Sequence, residues 1–280
     1  MKVTFWGTRG SLAAPGADTA RYGGNTSCVS VQGKEGTYIV LDAGTGIRSL
    51  GQNLPPKLER VDILLTHLHM DHIQGLPFFA PLRRPGVEIH IWGPASTTLG
   101  LHARLQKYLS PPLFPVSVRE LAAEFHFHEL PADIIEIGEF KIYAQLVIHP
   151  NPTVGYRIQS SKIAVTYLPD HEPALAGQTF PHDKEWTSGY RLAEGVDLLI
   201  HDSQYTEEEY PQRRGFGHSS IRHAFQFATL SSVKRFAPFH HDPTHNDDML
   251  DRMFEQTIQT MQPSYGVTPS REGSSIELTG

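Results

Sequence analysis

Val61-Asp62-Ile63-Leu64-Leu65-Thr66-His67-Leu68-His69-Met70-Asp71-His72 is the segment on which the reading of this chain turns. Its first half is a short, apolar, β-branched run of the kind that forms a buried strand. Its second half packs three histidines and an aspartate into six residues. An extended backbone that then turns can aim alternate side chains at one point, so His67 and His69 can share one metal ion. Asp71 and His72, past the bend, can serve a second ion beside it. Imidazole and carboxylate suit zinc and also accept manganese or iron. The plainer alternative is a polar loop that happens to be rich in histidine. Four ligand side chains this dense, directly behind a buried strand, argue against it.

Working outward, β-branched and aromatic runs separated by glycine and asparagine predict strands over 3–6, 27–32 and 38–41 before this segment. After it, strands are expected over 87–92, 140–148, 154–159, 163–167, 196–200 and 233–239. Helices are expected over 73–80, 95–109 and 219–230, with a loop at Pro111, Pro112 and Pro115. The stretch 257–280 is polar and weakly patterned and receives no assignment. No linker, repeat or low-complexity tract divides the chain. Strands outnumber helices, and helices sit between strand groups in both halves. The expectation is an α/β protein of one domain, 1–280, with two mixed sheets packed together and helices outside.

Length and composition fit that picture. The 280 residues are 39% hydrophobic and 19% charged, enough for a sizeable core and too apolar for wholesale disorder. The net charge of −6 argues against a broad nucleic-acid or anionic-membrane surface. A single cysteine, Cys28, excludes a disulfide framework and any multi-cysteine zinc or iron–sulfur site. Sixteen histidines leave imidazole and carboxylate to hold any metal. Met1-Lys2-Val3-Thr4-Phe5-Trp6 runs straight into a strand, with no apolar signal core and no run long enough to span a membrane. A cytoplasmic location is expected, and a homodimer is left open.

His-x-His-x-Asp-His behind a strand resembles the signature of the metallo-β-lactamase superfamily of binuclear metallohydrolases. That resemblance covers roughly residues 1–250 and implies a four-layer αββα sandwich of two mixed β-sheets. It also implies the remaining ligands in chain order. Leu41-Asp42-Ala43-Gly44 matches an upstream aspartate that orders the histidine loop by hydrogen bonds rather than ligating. Ile148-His149-Pro150 matches the third histidine of the first metal site, and Leu168-Pro169-Asp170-His171 an aspartate bridging both metals. Phe239-His240-His241-Asp242 matches the last ligand of the second site. The implied sets are His67, His69 and His149 on one ion, Asp71, His72 and His240 on the other, and Asp170 between, with zinc as the expected metal.

Gly217-His218-Ser219-Ser220, preceded by His201-Asp202-Ser203-Gln204-Tyr205, resembles the paired motifs of the tRNase Z branch and its relatives, which are phosphodiesterases. In that branch the motif histidine stands 22 residues before the final ligand, which selects His240 over His241. His218 then takes the role of catalytic acid, with Asp71 the other catalytic residue, and a metal-bridging hydroxide as nucleophile. The tRNA-gripping arm of that branch lies between the third histidine and the bridging aspartate. Here His149 and Asp170 are 21 positions apart, room for a turn and two strands only. A small or cyclic phosphodiester is therefore the expected substrate, with no membrane or nucleic-acid partner. Thioester or lactone hydrolysis is the alternative within the same fold, and a degenerate binding or regulatory module the alternative outside catalysis.

The other histidines have blander expectations. His90, His102, His126, His128, His182, His223 and His245 show no partner pattern and are read as surface or satisfied polar residues. His171, His201 and His241 are read as supporting or substrate-facing neighbours of the motifs. Ser219 fits an N-cap for the helix from 221. Residues 7–11 and 22–27 are glycine-rich, which fits either backbone close to the site or tight turns. Cys28 reads as an inert core residue.

Overall fold

A computed structural model describes residues 1–130, 134–173, 180–181 and 183–279. The first sheet contains β1 (Lys2–Gly7), β2 (Cys28–Gln32), β3 (Tyr38–Leu41), β4 (Arg60–Leu64), β5 (Glu88–Pro94) and β6 (Glu124–Leu130). The second contains β7 (Ile134–Ile137), β8 (Phe140–Leu146), β9 (Val154–Gln159), β10 (Ala164–Leu168), β11 (Leu198–Asp202), β12 (Arg235–Phe239) and β13 (Gly266–Val267). The chain then returns to the first sheet, where β14 (Ser275–Glu277) pairs antiparallel with β1. Each sheet has seven strands and is mixed: β1 to β3 are antiparallel and β3 to β6 parallel, while β7 to β10 are antiparallel and β10 to β13 parallel.

The sheets pack face to face over Val3, Phe5, Val31 and Leu41 on one side and Ile142, Tyr156, Val165, Ile200 and Phe239 on the other. Both outer faces are apolar as well, because a parallel strand covered on two sides carries little polar surface; four of the five residues of β4 are buried. Helices α1 (Ile47–Asn53) and α3 (Leu101–Tyr108) cover the first sheet, with the one-turn α2 (Met70–Ile73) beside them. Helices α4 (Tyr190–Ala193), α6 (Ile221–Leu230) and α7 (Asp247–Met261) cover the second, with the short α5 (Tyr210–Arg213) at the rim. This is the expected αββα sandwich. Each buried Leu, Ile, Val or Phe contributes roughly 1.5–3 kcal/mol to holding it together.

Several elements differ from the sequence expectations. The helix expected over 73–80 is α2 followed by two 3₁₀ turns, because Pro77 and Pro81 cannot sit inside a helix. The one expected over 95–109 starts only after Gly100. The unassigned C-terminal stretch holds the end of α7 and strands β13 and β14. Strand β6 is not among the strands expected: it does alternate, Phe125 and Phe127 with His126 and His128, but carries no β-branched residue. The N-cap of α6 is Ser220, which accepts the amide of His223, while the Ser219 hydroxyl donates to the His171 carbonyl at 2.7 Å. Among the described residues no helix is long and apolar enough to cross a membrane.

Candidate metal centre

The site lies where strands of both sheets run out at one edge of the sandwich. Asp42 follows β3, His67 and His69 follow β4, and Asp71 and His72 ride on α2. His149 follows β8, Asp170 follows β10, Asp202 ends β11 and His240 follows β12. Two links from the second sheet pin the histidine loop: Tyr156 Oη donates to the Leu65 carbonyl at 2.6 Å, and the Val154 amide to the Thr66 carbonyl at 2.9 Å. Asp42 and His240 both hold left-handed backbone, at φ 59° and 60°, conformations that non-glycine residues adopt only when the surroundings fix them.

Two groups of four side chains form here, His67–His69–His149–Asp170 and Asp71–His72–Asp170–His240, each with donor atoms within 4.8 Å of one another. Asp170 belongs to both. Its Oδ1 lies 3.0 Å from His72 Nε2 and 3.2 Å from His240 Nε2, and its Oδ2 lies 3.7 Å from His67 Nε2 and 3.6 Å from His149 Nε2. Asp71 Oδ2 is 3.2 Å from both His72 Nε2 and His240 Nε2. The seven expected ligand residues are thus brought together, and in the expected grouping.

Hydrogen bonds behind the imidazoles fix which nitrogen faces inward. His72 Nδ1 donates to Asp42 Oδ2 at 2.8 Å, His149 Nδ1 to the Gly217 carbonyl at 2.8 Å, and His240 Nδ1 to Gln204 Oε1 at 2.9 Å. Asp42 also accepts from the Thr66 amide at 2.7 Å and from the Thr66 and Tyr167 hydroxyls, so its role is to order the loop. In the neutral rings the inward Nε2 atoms therefore carry lone pairs. Those of His72 and His240 face each other at 3.3 Å beside two carboxylates, an arrangement that needs a proton or a metal cation among them. His67 Nε2 and Asp170 Oδ1 are buried without a hydrogen-bond partner among the described residues. The donor set fits divalent metal.

Electrostatics agree. Burial lowers the pKa of His67, His69 and His149 and keeps them neutral, the ligating form. Burial works against ionised Asp170, but His240, His72 and His67 outweigh it and hold the carboxyl well below its usual range. His72 moves the other way: burial lowers its pKa, yet Asp170, Asp71 and Asp42 together raise it well above the ordinary value. The pocket demands positive charge, which a divalent ion supplies in exchange for that proton.

His218 stands beside this cluster. Its Nδ1 donates to Asp202 Oδ2 at 2.7 Å, and its ring stacks on His240 at 5.0 Å between centroids. Asp202 is held in turn by the amides of Gln204 and Ser219. His218 lines an open cavity of about 520 Å³ with Ser11, Pro150, Gln204, Tyr205, Arg213 and Phe216. His241 does not face that cavity: it is buried, its Nε2 donates to the Ser270 carbonyl at 3.2 Å, and burial pushes its pKa down to about 3. His171 and His201 are buried and hydrogen bonded to each other at 2.9 Å beneath Asp170. Of the two glycine-rich segments, 7–11 approaches the site, while at 22–27 the space beside Gly23 and Gly24 is taken by Glu272 and Pro15. The Ser11 amide donates to Asp71 Oδ2 at 2.8 Å, and a Cβ on Gly10 would overlap the His240 ring.

Sequence reasoning assigned no role to Gln204, Tyr167 or Glu172. Glu172 accepts the Gly215 and Gly217 amides and the Tyr210 hydroxyl, which ties down the loop leading to His218. Of the histidines expected to be bland, His245 Nε2 pairs with Glu209 at 3.0 Å, while its buried Nδ1 has no hydrogen-bond partner among the described residues, and His102 stacks on Phe127. His182 lies outside the described residues. His90, His126 and His128 are not independent surface residues: they gather on adjacent strands β5 and β6.

The family described as a beta-lactamase superfamily domain matches residues 37–241. Ribonuclease Z of Anoxybacillus flavithermus is 26% identical over 327 residues, spanning 100% of this chain and 99% of its own. The crystal structure of human tRNase Z, short form, superposes with a TM-score of 0.68 at 22% identity, covering 100% of both chains. Zn²⁺-bound PqqB from Methylobacterium extorquens superposes with a TM-score of 0.72 at 16% identity, covering 99% of this chain and 100% of that one. These two structures share the fold, and one of them carries zinc. With a family match running from the start of β3 to just past His240, the chain belongs to the metallo-β-lactamase superfamily of metal-dependent hydrolases.

Proposed function

We propose that this chain is a binuclear metal-dependent phosphodiesterase acting on a small or cyclic phosphodiester, with residues 1–280 working as one domain. His67, His69 and His149 would hold one ion, Asp71, His72 and His240 the other, and Asp170 both; zinc suits these donors, and manganese or iron is also accepted. Such ions supply charge neutralisation at phosphorus and a water of lowered pKa. Asp71, an ionised carboxylate beside His72 and His240, would be the group to accept a proton at this site.

The observation that carries the reading is His218. Its Nδ1 is committed to Asp202, which leaves Nε2 to carry a proton toward the cavity. Burial lowers its pKa, so the imidazolium is a ready donor to the leaving alkoxide oxygen. A thioester has less need of such an acid. Arg213, whose guanidinium lies 5.3 Å from the Tyr205 ring, and exposed Phe216 line the same cavity and suit a phosphate and an attached base.

Relatives named Ribonuclease Z keep RNA as the competing substrate. The net charge of −6 and the short segment between His149 and Asp170, with β9 its one strand before β10, support the smaller one. The test is a panel of bis(p-nitrophenyl) phosphate, cyclic nucleotides, a precursor tRNA, a thioester and a lactone, assayed with wild type and His218→Ala. The variant is expected to keep its metal and to lose roughly two to four orders of magnitude on the cyclic nucleotide. It should lose far less on bis(p-nitrophenyl) phosphate, whose leaving group departs without a proton. Equal losses on both would remove His218 as the acid. Turnover of the thioester or lactone alone would overturn the phosphodiesterase reading.

A further inference from the structure

The inner face of the first sheet is apolar over β1 to β3 but turns polar at β4, β5 and β6. The parallel register sets Asp62 beside His90 and His90 beside His126, with Trp92 beside His128. Alternation puts Glu88, His90 and Trp92 on one face with Glu124, His126 and His128. The cluster sits toward the far end of these strands from the metal centre: Asp62 precedes His67 by five residues, roughly 16 Å of strand.

We propose that Glu88, His90 and His126 form a second, peripheral site for a divalent transition-metal ion such as Zn²⁺. Donor atoms of the three side chains lie within 4.8 Å of one another. His90 Nε2 is 3.3 Å from Glu88 Oε2, and His90 and His126 stack at 4.5 Å between ring centroids. Two imidazoles and a carboxylate are a common zinc donor set, and half-exposed Glu88 leaves the remaining position open to water.

His128 supplies the support that a metal-binding histidine requires, since its Nε2 is hydrogen bonded to His90 Nδ1 at 2.9 Å. With His90 Nδ1–H donating there, the Nε2 lone pair points at the Glu88 carboxylate, a repulsive contact that a cation converts into a ligand pair. The competing arrangement has His128 donating to His90 and His90 donating to Glu88. That chain satisfies His90 and leaves His126 unexplained. His126 Nε2 is buried and has no hydrogen-bond partner among the described residues; Glu124 Oε1 lies 3.4 Å away, off hydrogen-bond alignment. The surroundings also favour a cation. Glu88 and Glu124 are both acidic, while the nearby guanidinium of Arg60 is already paired with Asp62 at 2.8 Å. An ion here would staple β6, the edge strand of its sheet, to β5.

Equilibrium dialysis of the full chain against zinc, followed by metal analysis, tests the site with His126→Asn and Glu88→Gln. Each variant is expected to hold one zinc per chain fewer than wild type. Glu88 is on the surface, so Glu88→Gln keeps the comparison valid if His126→Asn folds poorly. Because the readout is a difference, it does not depend on how many ions the strand-end centre takes up. Trp92, stacked on His128 at 3.9 Å, gives an independent signal. Ni²⁺ should quench its fluorescence, with a midpoint shifted about tenfold or more in Glu88→Gln. Equal zinc content in wild type and both variants, or an unmoved quenching midpoint, overturns the proposal.

Discussion

Adjacent histidines on one loop have opposite fates here. His240 sits in left-handed backbone with its Nε2 among Asp71, Asp170 and His72, whereas His241 turns into the core against Tyr22 and Phe254. The reason is local geometry: the loop after β12 bends at His240, so the next side chain points the other way. On the proposed binuclear reading, His240→Ala should therefore hold one ion fewer than wild type on metal analysis. His241→Ala should match the metal content of wild type while losing about 1–3 kcal/mol of stability from the buried hydrogen bond and packing. The reverse pattern would show that the ligand has been misassigned. Cys28 makes a residue-scale contrast. It is fully buried, and burial pushes its thiol pKa well above the usual value, so a disulfide reagent should leave native protein unlabelled at neutral pH. Labelling at the rate of an unfolded thiol would contradict that.

Among the loops, the one from α5 to α6 carries the most weight. Gly217 has φ 89°, donates its amide to Glu172 and accepts His149 Nδ1 on its carbonyl, and a Cβ there would overlap the His149 ring. One glycine thus positions a histidine of the candidate metal centre and leads into His218. Gly217→Ala combines a backbone cost of roughly 1–2 kcal/mol with that clash. It should lower both metal content and turnover at least about tenfold, the usual scale for losing a partner of a metal-facing histidine. Full metal and full turnover would mean the loop is softer than its hydrogen bonds indicate. The motif marked His218 in the sequence, but its glycine could be explained only once His149 was seen against it. The same holds for Gln204, 36 positions from the His240 it orients, and for Tyr167, 125 positions from Asp42.

The whole molecule buries its histidines in numbers that govern its acid stability. His201 and His241 are fully buried, with pKa values lowered to about 4 and about 3 by desolvation, and His171 is lowered as well. Below an unfolded pKa near 6.5 the unfolded chain binds these protons and the folded chain does not, so stability falls as pH falls. Each such group costs about 1.4 kcal/mol per pH unit between 6.5 and its folded value. On the proposed metal reading, protons would also compete with metal for His67, His69 and His149, which acts in the same direction. Urea melts at pH 7, 6 and 5 should show midpoints dropping steadily, with or without chelator. A flat profile would mean that these histidines are already protonated in the fold.

Periodicity and residue chemistry by themselves determined the strand-rich α/β class, most strands, and the dense ligand run from His67 to His72. These are local properties, written within a few neighbouring residues. Motif resemblance added the distant candidate ligands, because each stands at the end of an apolar strand. The tertiary structure alone decided which nitrogen of each histidine faces inward and which way His241 turns. It alone brought His90, His126 and His128 together across β5 and β6. These depend on strand register and on which sheet faces which, and both arise from packing between residues far apart in the chain.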